Sequence, residues 1–131
     1  MKDIVYTRQF ACIEVKHTEE MGFGVYATRD FEKGELIERA YCVKICDHEK
    51  DIPVDLKNYT FKYPPCAECD PEFYVLALGY GSIYNHADDN NARFYLSKYP
   101  MFFDYMATKN IKEGEEIFIN YGNYEFPLKQ Q

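Results

Sequence analysis

Short extended segments separated by turn-forming residues are the feature that most constrains the fold of this chain. Apolar and polar residues alternate over residues 10–15, as a half-buried strand requires. Gly, Pro, Asn and Asp interrupt the apolar segments along the whole chain. Further strands are predicted at residues 24–27, 36–45, 101–108 and 117–120, with turns at 30–35 and 113–115. The pattern predicts a mostly β fold.

Two longer regions lack this regularity. Residues 46–71 are polar and contain Pro, so we expect irregular structure with a short extended piece near residues 59–63. Residues 73–83 are apolar but include Gly79 and Gly81, each costing a helix about 1 kcal/mol relative to Ala. One or two short helical turns leading into a strand are predicted there. No internal repeat or linker is evident, so residues 1–131 are predicted to form a single domain with minor helix.

Size and charge narrow the class of protein. A chain of 131 residues can bury roughly two-thirds of its unfolded surface without disulfides or a metal. Its 13 Tyr and 10 Phe residues suit a core that also lines a polar channel, or simply an aromatic-rich β core. The net charge of −7 argues against nucleic-acid binding, which needs a basic face. It suits a basic protein or peptide partner, although acidity that only maintains solubility explains the charge equally well.

Neither a membrane span nor a secretion signal is predicted. No apolar run approaches the ~18–20 residues of a span, and the N-terminus lacks the apolar region of a signal peptide. We therefore expect an intracellular, reducing compartment, in which the five cysteines are thiols. Cys42, Cys46, Cys66 and Cys69 form a possible zinc set, but the spacing of the first pair suits zinc poorly. Isolated half-buried thiols are the simpler interpretation.

The first motif that could carry chemistry lies at residues 21–27. Gly22 and Gly24 bracket Phe23, and glycines let a backbone approach a ligand closely. The segment is not a phosphate loop, because no Gly-Lys-Ser/Thr and no helix follow it. A plain turn between strands is the alternative.

The second motif lies at residues 79–92, where a glycine-containing apolar run leads into Asn85 and His86. Both side chains can donate and accept hydrogen bonds, so the pair could read the polar edge of a ligand. Asp88 and Asp89 are adjacent and would point apart, which argues against a metal site. The alternative is that Asn85 and His86 satisfy buried backbone groups.

The third motif, residues 111–122, is a tight turn, an alternating strand, and then Tyr121 before Gly122. A strand end is a rigid mount for a catalytic hydroxyl. A role in packing is the alternative for Tyr121.

Taken in order, these motifs resemble those of the SET-domain family of protein-lysine methyltransferases. Residues 22–27 resemble its Gly-x-Gly motif, and residues 31–38 resemble the turn and strand that follow. Asn85 and His86 with Asn91 resemble the Asn-His-x-x-x-x-Asn motif, and residues 114–122 resemble the last motif. The match covers residues 22–122 and is especially like the minimal, virus-encoded SET proteins. Ala87 stands where the family has Ser, and Asn90 where it has Pro.

The resemblance implies a SET-domain fold of small sheets of short strands with a C-terminal pseudoknot, in which the segment ending at Tyr121 passes the Asn85–His86 loop. It implies S-adenosylmethionine as cofactor. Many relatives close the site with a zinc-binding Cys cluster after the last motif, but here no Cys follows Cys69, and no metal is expected. Phe94 and Ile119 lie where relatives tune the number of methyl groups, and they lack hydroxyls, which leaves room for more than one. The implied catalytic residue is Tyr121; the implied cofactor-binding residues are Gly22, Phe23, Gly24, Tyr84, Asn85, His86, Tyr124 and Phe126; the implied substrate-binding residues are Tyr80, Phe94, Ile119 and Tyr121.

The implied function is methyl transfer to a lysine of a basic protein. A histone tail is the favoured substrate, which would mean a nuclear enzyme. The alternatives are an enzyme acting on a non-histone protein in the cytoplasm and a non-catalytic SET-like binding module. Neither nucleic acid nor membrane is expected as a direct partner, and a homodimer that completes the substrate groove is left open.

Overall fold

Strands dominate the described residues. The computed structural model describes residues 12–20, 22–66 and 68–120. Two short 3-10 helices, Glu49–Asp51 and Val54–Tyr59, are the helical elements of these ranges, and neither is long or apolar enough to cross a membrane. The strands are β1 Ile13–Thr18, β2 Gly22–Ala27, β3 Leu36–Cys46, β4 Thr60–Tyr63, β5 Phe73–Ala77, β6 Asn85–His86, β7 Ala92–Leu96, β8 Phe102–Ala107 and β9 Glu116–Ile119. The prediction of a mostly β fold with minor helix is confirmed.

The last described strand, β9, lies inside the sheet between β2 and β7. The strand order is β1-β2-β9-β7-β8-β3-β5-β4, and β6 pairs with β9 off this path. Pairs are antiparallel except those that β9 makes with β6 and β7. The N-terminal hairpin β1–β2 therefore joins the remaining strands through a segment near the C-terminus. The segment after residue 120 lies outside the described residues, so the pseudoknot stays a prediction.

Several predicted elements differ from those observed. Of the strand predicted at residues 10–15, residues 10 and 11 lie outside the described residues, and the first described strand runs from Ile13 to Thr18. Strand β2 already begins at Gly22, which pairs with Thr18 instead of forming a turn. The helical turns predicted before a strand in residues 73–83 are wrong, because β5 comes first and turns follow at residues 78–83. Pairing with β4 decides this order, since Phe61 lies opposite Val75 and both are fully buried.

Strand β7 was not predicted at all. It directly follows the Asp/Asn-rich turn and ends in two exposed residues, Tyr95 and Leu96, so its apolar residues do not alternate cleanly. Pairing with β8 along its whole length stabilises it as a strand.

An internal repeat that the sequence analysis missed organises the sheet. Residues 27–37 and 107–117 are identical at five of eleven positions: Ala, Thr, Gly, Glu and Ile recur at the same offset. Each copy is a tight turn between two strands, β2–β3 in the first copy and β8–β9 in the second. Strand β2 pairs with β9, and β8 pairs with β3, so the two copies are related by an approximate twofold axis. The prediction of no internal repeat is therefore wrong, because conservative exchanges and charge reversals hide it.

The two turns hold each other through reciprocal hydrogen bonds. Phe31 and Ile111, both buried, exchange backbone bonds of 2.7 and 2.8 Å at the axis. Asp30 Oδ1 accepts a bond of 2.8 Å from the Glu113 amide, and Asn110 Oδ1 accepts one of 2.9 Å from the Lys33 amide. Each turn is thus capped by a side chain of the other.

Because the two caps occupy equivalent positions, Asp30→Ala and Asn110→Ala should each lower the free energy of unfolding by about 1 kcal/mol, with the larger loss at Asp30, whose carboxylate is a charged acceptor. Chemical denaturation measures both losses. Glu32→Ala, in the same turn but at an exposed side chain, is the control and should change stability by less than ~0.5 kcal/mol. A loss at one cap and none at the other would contradict the structural equivalence of the repeats.

Aromatic rings fill the core between the strands. Phe94 on β7 lies 5.3 Å from Phe61, 5.0 Å from Phe103 and 5.4 Å from Tyr105, measured between ring centroids. All four residues are fully buried. Aromatic pairs at these distances contribute about 0.5–1.5 kcal/mol beyond the area that they bury. Much of the unusual Phe content therefore packs the core.

The cysteines depart in part from the expectation of five thiols. Cys66 and Cys69 form a disulfide in the loop between β4 and β5, which corrects that expectation for this pair. Cys12, Cys42 and Cys46 are reduced, and burial raises the pKa of the Cys42 thiol to about 12. Within the described residues no group of three or more His, Cys, Asp or Glu side chains is arranged to hold a metal ion.

Candidate active site

A cavity of about 710 Å³ opens where the first two sequence motifs meet. Its walls come from β1 and the start of β2, from β6, from the turn that precedes β6, and from the end of the second 3-10 helix. The lining residues are Val15, Gly22, Phe23, Asn58, Tyr59, Ser82, Ile83, Tyr84, Asn85 and His86. Phe23 and Tyr59 remain 61% and 49% exposed, which leaves aromatic surface available at the cavity. The volume lies within the ~300–1,000 Å³ typical of small-molecule sites.

The second and third motifs meet through the parallel pairing of β6 with β9. Asn85 lies opposite Phe118, and His86 lies opposite Ile119. Asn91 extends this pairing with its side chain, because its Oδ1 accepts from the Phe118 amide at 2.8 Å and its Nδ2 donates to the Glu116 carbonyl at 3.0 Å. The Asn that follows the Asn-His pair therefore fixes β9 against the loop, a role that the sequence analysis did not assign to it.

The Asn85 side chain is oriented by two acceptors. Its Nδ2 donates to the Phe23 carbonyl at 3.0 Å and to Glu116 Oε2 at 2.7 Å. These bonds join β2, β6 and β9 at one point beside the cavity. Glu116 is half-buried and does not line the cavity itself.

Below the cavity, a buried carboxylate holds the turn that precedes β6. Glu38 is 8% exposed; its Oε1 accepts from the Tyr84 hydroxyl at 2.7 Å and its Oε2 from the Tyr80 amide at 2.8 Å. Gly79 has φ +65° and leaves space for this carboxylate, because an added Cβ would overlap Glu38 Oε2. The Glu38 carboxylate therefore holds the side chain of Tyr84, which lines the cavity, in one position.

Burial is the largest influence on the pKa values of Glu38 and Tyr84. Desolvation raises the pKa of Glu38, while the bonds from the Tyr80 amide and the Tyr84 hydroxyl partly oppose the rise. Desolvation, followed by the nearby Glu38 charge, raises the pKa of Tyr84 well above its ordinary value. Tyr84 therefore stays a neutral hydrogen-bond donor.

The predicted site residues fall into three groups. Gly22, Phe23, Tyr84, Asn85 and His86 line the cavity, and Gly24 lies beside it on β2. The proposed substrate residues Phe94 and Ile119 lie fully buried in the core, and Tyr80 packs against that core. The last three predicted residues, Tyr121, Tyr124 and Phe126, lie outside the described residues. Their roles, like those of the other predicted residues, stay predictions.

Further residues that contribute to the site were not predicted. Five of them line the cavity: Val15, Asn58, Tyr59, Ser82 and Ile83. Glu38 and Glu116 hold residues of the cavity wall. Glu38 and Glu116 each lie within segments that resemble family motifs, but nothing in their spacing marks a carboxylate directed inward. An acidic residue at an inward position of a predicted strand was the available signal for Glu38.

The chain is similar to known proteins over most of its length. The SET domain family model matches residues 22–122. A Schizosaccharomyces pombe protein, a histone-lysine N-methyltransferase specific for histone H3 lysine-37, is 26% identical over 115 residues, which span 86% of this chain and 74% of that protein.

Solved structures of other proteins have a similar fold. A Plasmodium falciparum protein assigned to the histone methyltransferases superposes with a TM-score of 0.66 at 31% identity, over 84% of this chain and 96% of that one. The Polycomb Repressive Complex 2 of Chaetomium thermophilum includes a chain that superposes with a TM-score of 0.65 at 24% identity, over 88% of this chain and 15% of that one. The second likeness concerns the fold alone.

Fold, motif order and relatives together define a methyl-transferring domain, and the chain belongs to the SET domain family. It is a protein-lysine methyltransferase. Members of this family generally use S-adenosylmethionine as the methyl donor.

The raised pKa of Glu38 predicts a specific pH dependence of stability. Between the ordinary value of 4.5 and the raised value, the folded state binds more protons than the unfolded state, so the contribution of Glu38 to stability falls as pH rises. Glu38→Gln removes this ionisation. We expect the unfolding free energy of the variant, relative to wild type, to increase with pH above about 4.5, as measured by urea titrations at several pH values.

Glu35 provides a control of opposite sign. Bonds from the Glu32 amide and Arg29 lower its pKa, so its contribution to stability is present above pH 4.5 and is lost as pH falls. The unfolding free energy of Glu35→Gln, relative to wild type, should therefore decrease as pH rises towards 4.5. Parallel pH profiles for the two variants would contradict the assignment of Glu38 as a desolvated carboxyl.

Proposed function

We propose that the cavity between β2 and β6 binds S-adenosylmethionine and that the chain transfers its methyl group to a lysine of a basic protein, with a histone tail as the favoured substrate. The observation that carries the proposal is that Gly22 and Phe23 line the same cavity as Asn85 and His86. The two pairs are widely separated in sequence and belong to the two motifs that the family resemblance assigns to the cofactor.

The residues present fit such a ligand. The exposed ring of Phe23 offers an aromatic surface to a flat base. Asn85 uses its amide nitrogen for protein partners, so its Oδ1 is the atom able to accept a bond from a ligand ammonium or amine. When bound, S-adenosylmethionine supplies an electrophilic methyl group on a sulfonium.

The protein must then bind the substrate lysine with its amine in the neutral form. A free lysine has a pKa near 10.4 and is mostly protonated at neutral pH. Desolvation beside aromatic side chains favours the neutral form, so no carboxylate base is needed. We propose that the Tyr121 hydroxyl orients the amine, that Tyr80, Phe94 and Ile119 shape the lysine channel, and that Tyr124 and Phe126 close the cofactor side.

A histone is the favoured substrate for two reasons. The net charge of −7 suits a basic tail, and the relatives described above act on histones or are assigned to histone methylation. A histone substrate would imply a nuclear site of action. The charge favours a basic non-histone protein equally, so that substrate class is the second candidate.

Tyr121→Phe should reduce methyl transfer at least about tenfold while leaving cofactor affinity within about twofold, because the ring remains and only the orienting hydroxyl is lost. Transfer of labelled methyl from S-adenosylmethionine to core histones measures the rate. Tyr41→Phe is the matched control and should leave the transfer rate unchanged. Tyr41 is 46% exposed on β3, and its edge contact with Phe102 needs only the ring.

The outcomes separate the candidates. Transfer to histones by wild type that is lost in Tyr121→Phe supports the proposal. Cofactor binding without transfer to histones, but with transfer to a basic non-histone protein, moves the substrate to the second candidate. Absence of cofactor binding by wild type would refute the proposed site.

A further inference from the structure

We propose that Glu116 is a positioning residue for the cofactor, and that Gly24 is a glycine because this carboxylate needs the space beside it. The inference rests on the proposed function, since it concerns how the same cavity presents Asn85 to its ligand. Glu116 does not line the cavity and acts through Asn85.

The partners of the Asn85 amide hold it in one orientation. A side-chain amide can rotate by about 180°, which exchanges its donor and its acceptor. Nδ2 faces two acceptors, the Phe23 carbonyl and the Glu116 carboxylate, so the reversed orientation would set oxygen against oxygen. Both hydrogens of Nδ2 are thereby used, and Oδ1 is the remaining polar atom of the amide. The cavity consequently offers a hydrogen-bond acceptor at Asn85 and not a donor.

Glu116 is itself held in place. It lies opposite Tyr26 in the β2–β9 pair, and its carbonyl accepts a bond from Asn91 Nδ2. Desolvation, followed by the charge of Glu116 and a hydrogen bond to it, raises the pKa of Tyr26, so the Tyr26 hydroxyl stays a neutral donor to the carboxylate. A carboxylate oriented on both sides is a stronger acceptor for Asn85 than a neutral group would be.

Space for the Glu116 carboxylate accounts for the glycine at position 24. Its φ is not in the left-handed region, so backbone conformation does not require glycine there. An added Cβ would overlap Glu116 Oε2 and lie 2.9 Å from Asn85 Nδ2. An alanine would therefore displace the two side chains and leave the backbone largely in place. The second glycine of the Gly-Phe-Gly motif thus makes room for protein side chains, which differs from the close backbone approach to a ligand suggested by the sequence.

The test is a double-mutant cycle with S-adenosylhomocysteine as the ligand in isothermal titration calorimetry. Glu116→Ala should weaken binding about 10- to 100-fold, the range for loss of a hydrogen bond to a charged group. Gly24→Ala should weaken it by a comparable factor. The double variant Gly24→Ala/Glu116→Ala should be no weaker than the worse single variant, because the carboxylate that the added methyl group would displace is already gone.

Steady-state kinetics and a matched control separate positioning from stability. In Glu116→Ala the KM for S-adenosylmethionine should rise, while kcat at saturation stays within about threefold of wild type. Glu113→Ala removes the same charge from an exposed position in the preceding turn and should change neither quantity. If Glu116→Ala does not fold, Glu116→Gln takes its place in the single-variant affinity and kinetic measurements, with a smaller loss of about 3- to 10-fold because an uncharged acceptor remains.

Each result has a defined meaning. Non-additive losses in affinity with preserved kcat support the proposal. Unchanged affinity in the Glu116 variants, or additive losses in the cycle, would overturn it and leave the proposed function intact. Failure of wild type to bind S-adenosylhomocysteine would overturn both.

Discussion

The parallel pairing of β9 with β6 is the interaction on which the remaining structure depends. Only four residues long, β9 contacts β2 on one side and β6 and β7 on the other, and so links the N-terminal hairpin to the rest of the sheet. Backbone pairing alone would be short, and Asn91 lengthens it by bonding like an additional strand residue. The same pairing aligns Glu116 with Asn85. One short strand therefore closes the fold and orients the cavity.

Each of two carboxylates near the cavity occupies space that a glycine leaves free. Glu38 occupies the space left at Gly79, and Glu116 occupies the space left at Gly24. Both accept hydrogen bonds from residues of the loop that forms the cavity wall, Tyr84 and Asn85. Buried or half-buried acceptors of this kind restrict side-chain rotation more than apolar packing does, because hydrogen bonds are directional. The side chains of this cavity wall are therefore held in position before a ligand binds.

Local sequence signals predicted strands well where alternation and turn residues agree, as in β3 and β8. They failed at residues 73–83, where the glycines follow the strand and where pairing with β4 fixes the conformation. For the site, the motifs pointed to the glycines, Asn85 and His86, but not to Glu38 or Glu116. Their partners lie 46 and 31 residues away in sequence, and no periodicity reports such contacts. The repeat was hidden because Asp30 and Asn110 have equivalent roles but different charges.

The twofold exchange between the two turns also bears on how the chain reaches this structure. The bonds that cap the turns join residues 77 and 83 positions apart, so neither turn can be completed from its own surroundings. During synthesis, the first turn precedes the second, so the Lys33 amide lacks its Asn110 acceptor until the later segment has been made. Contacts of such high sequence separation slow folding, since the closure of a long loop precedes the gain from pairing. The N-terminal half is therefore exposed to misassociation for the longest time, and strand β9 is the element whose arrival ends that exposure.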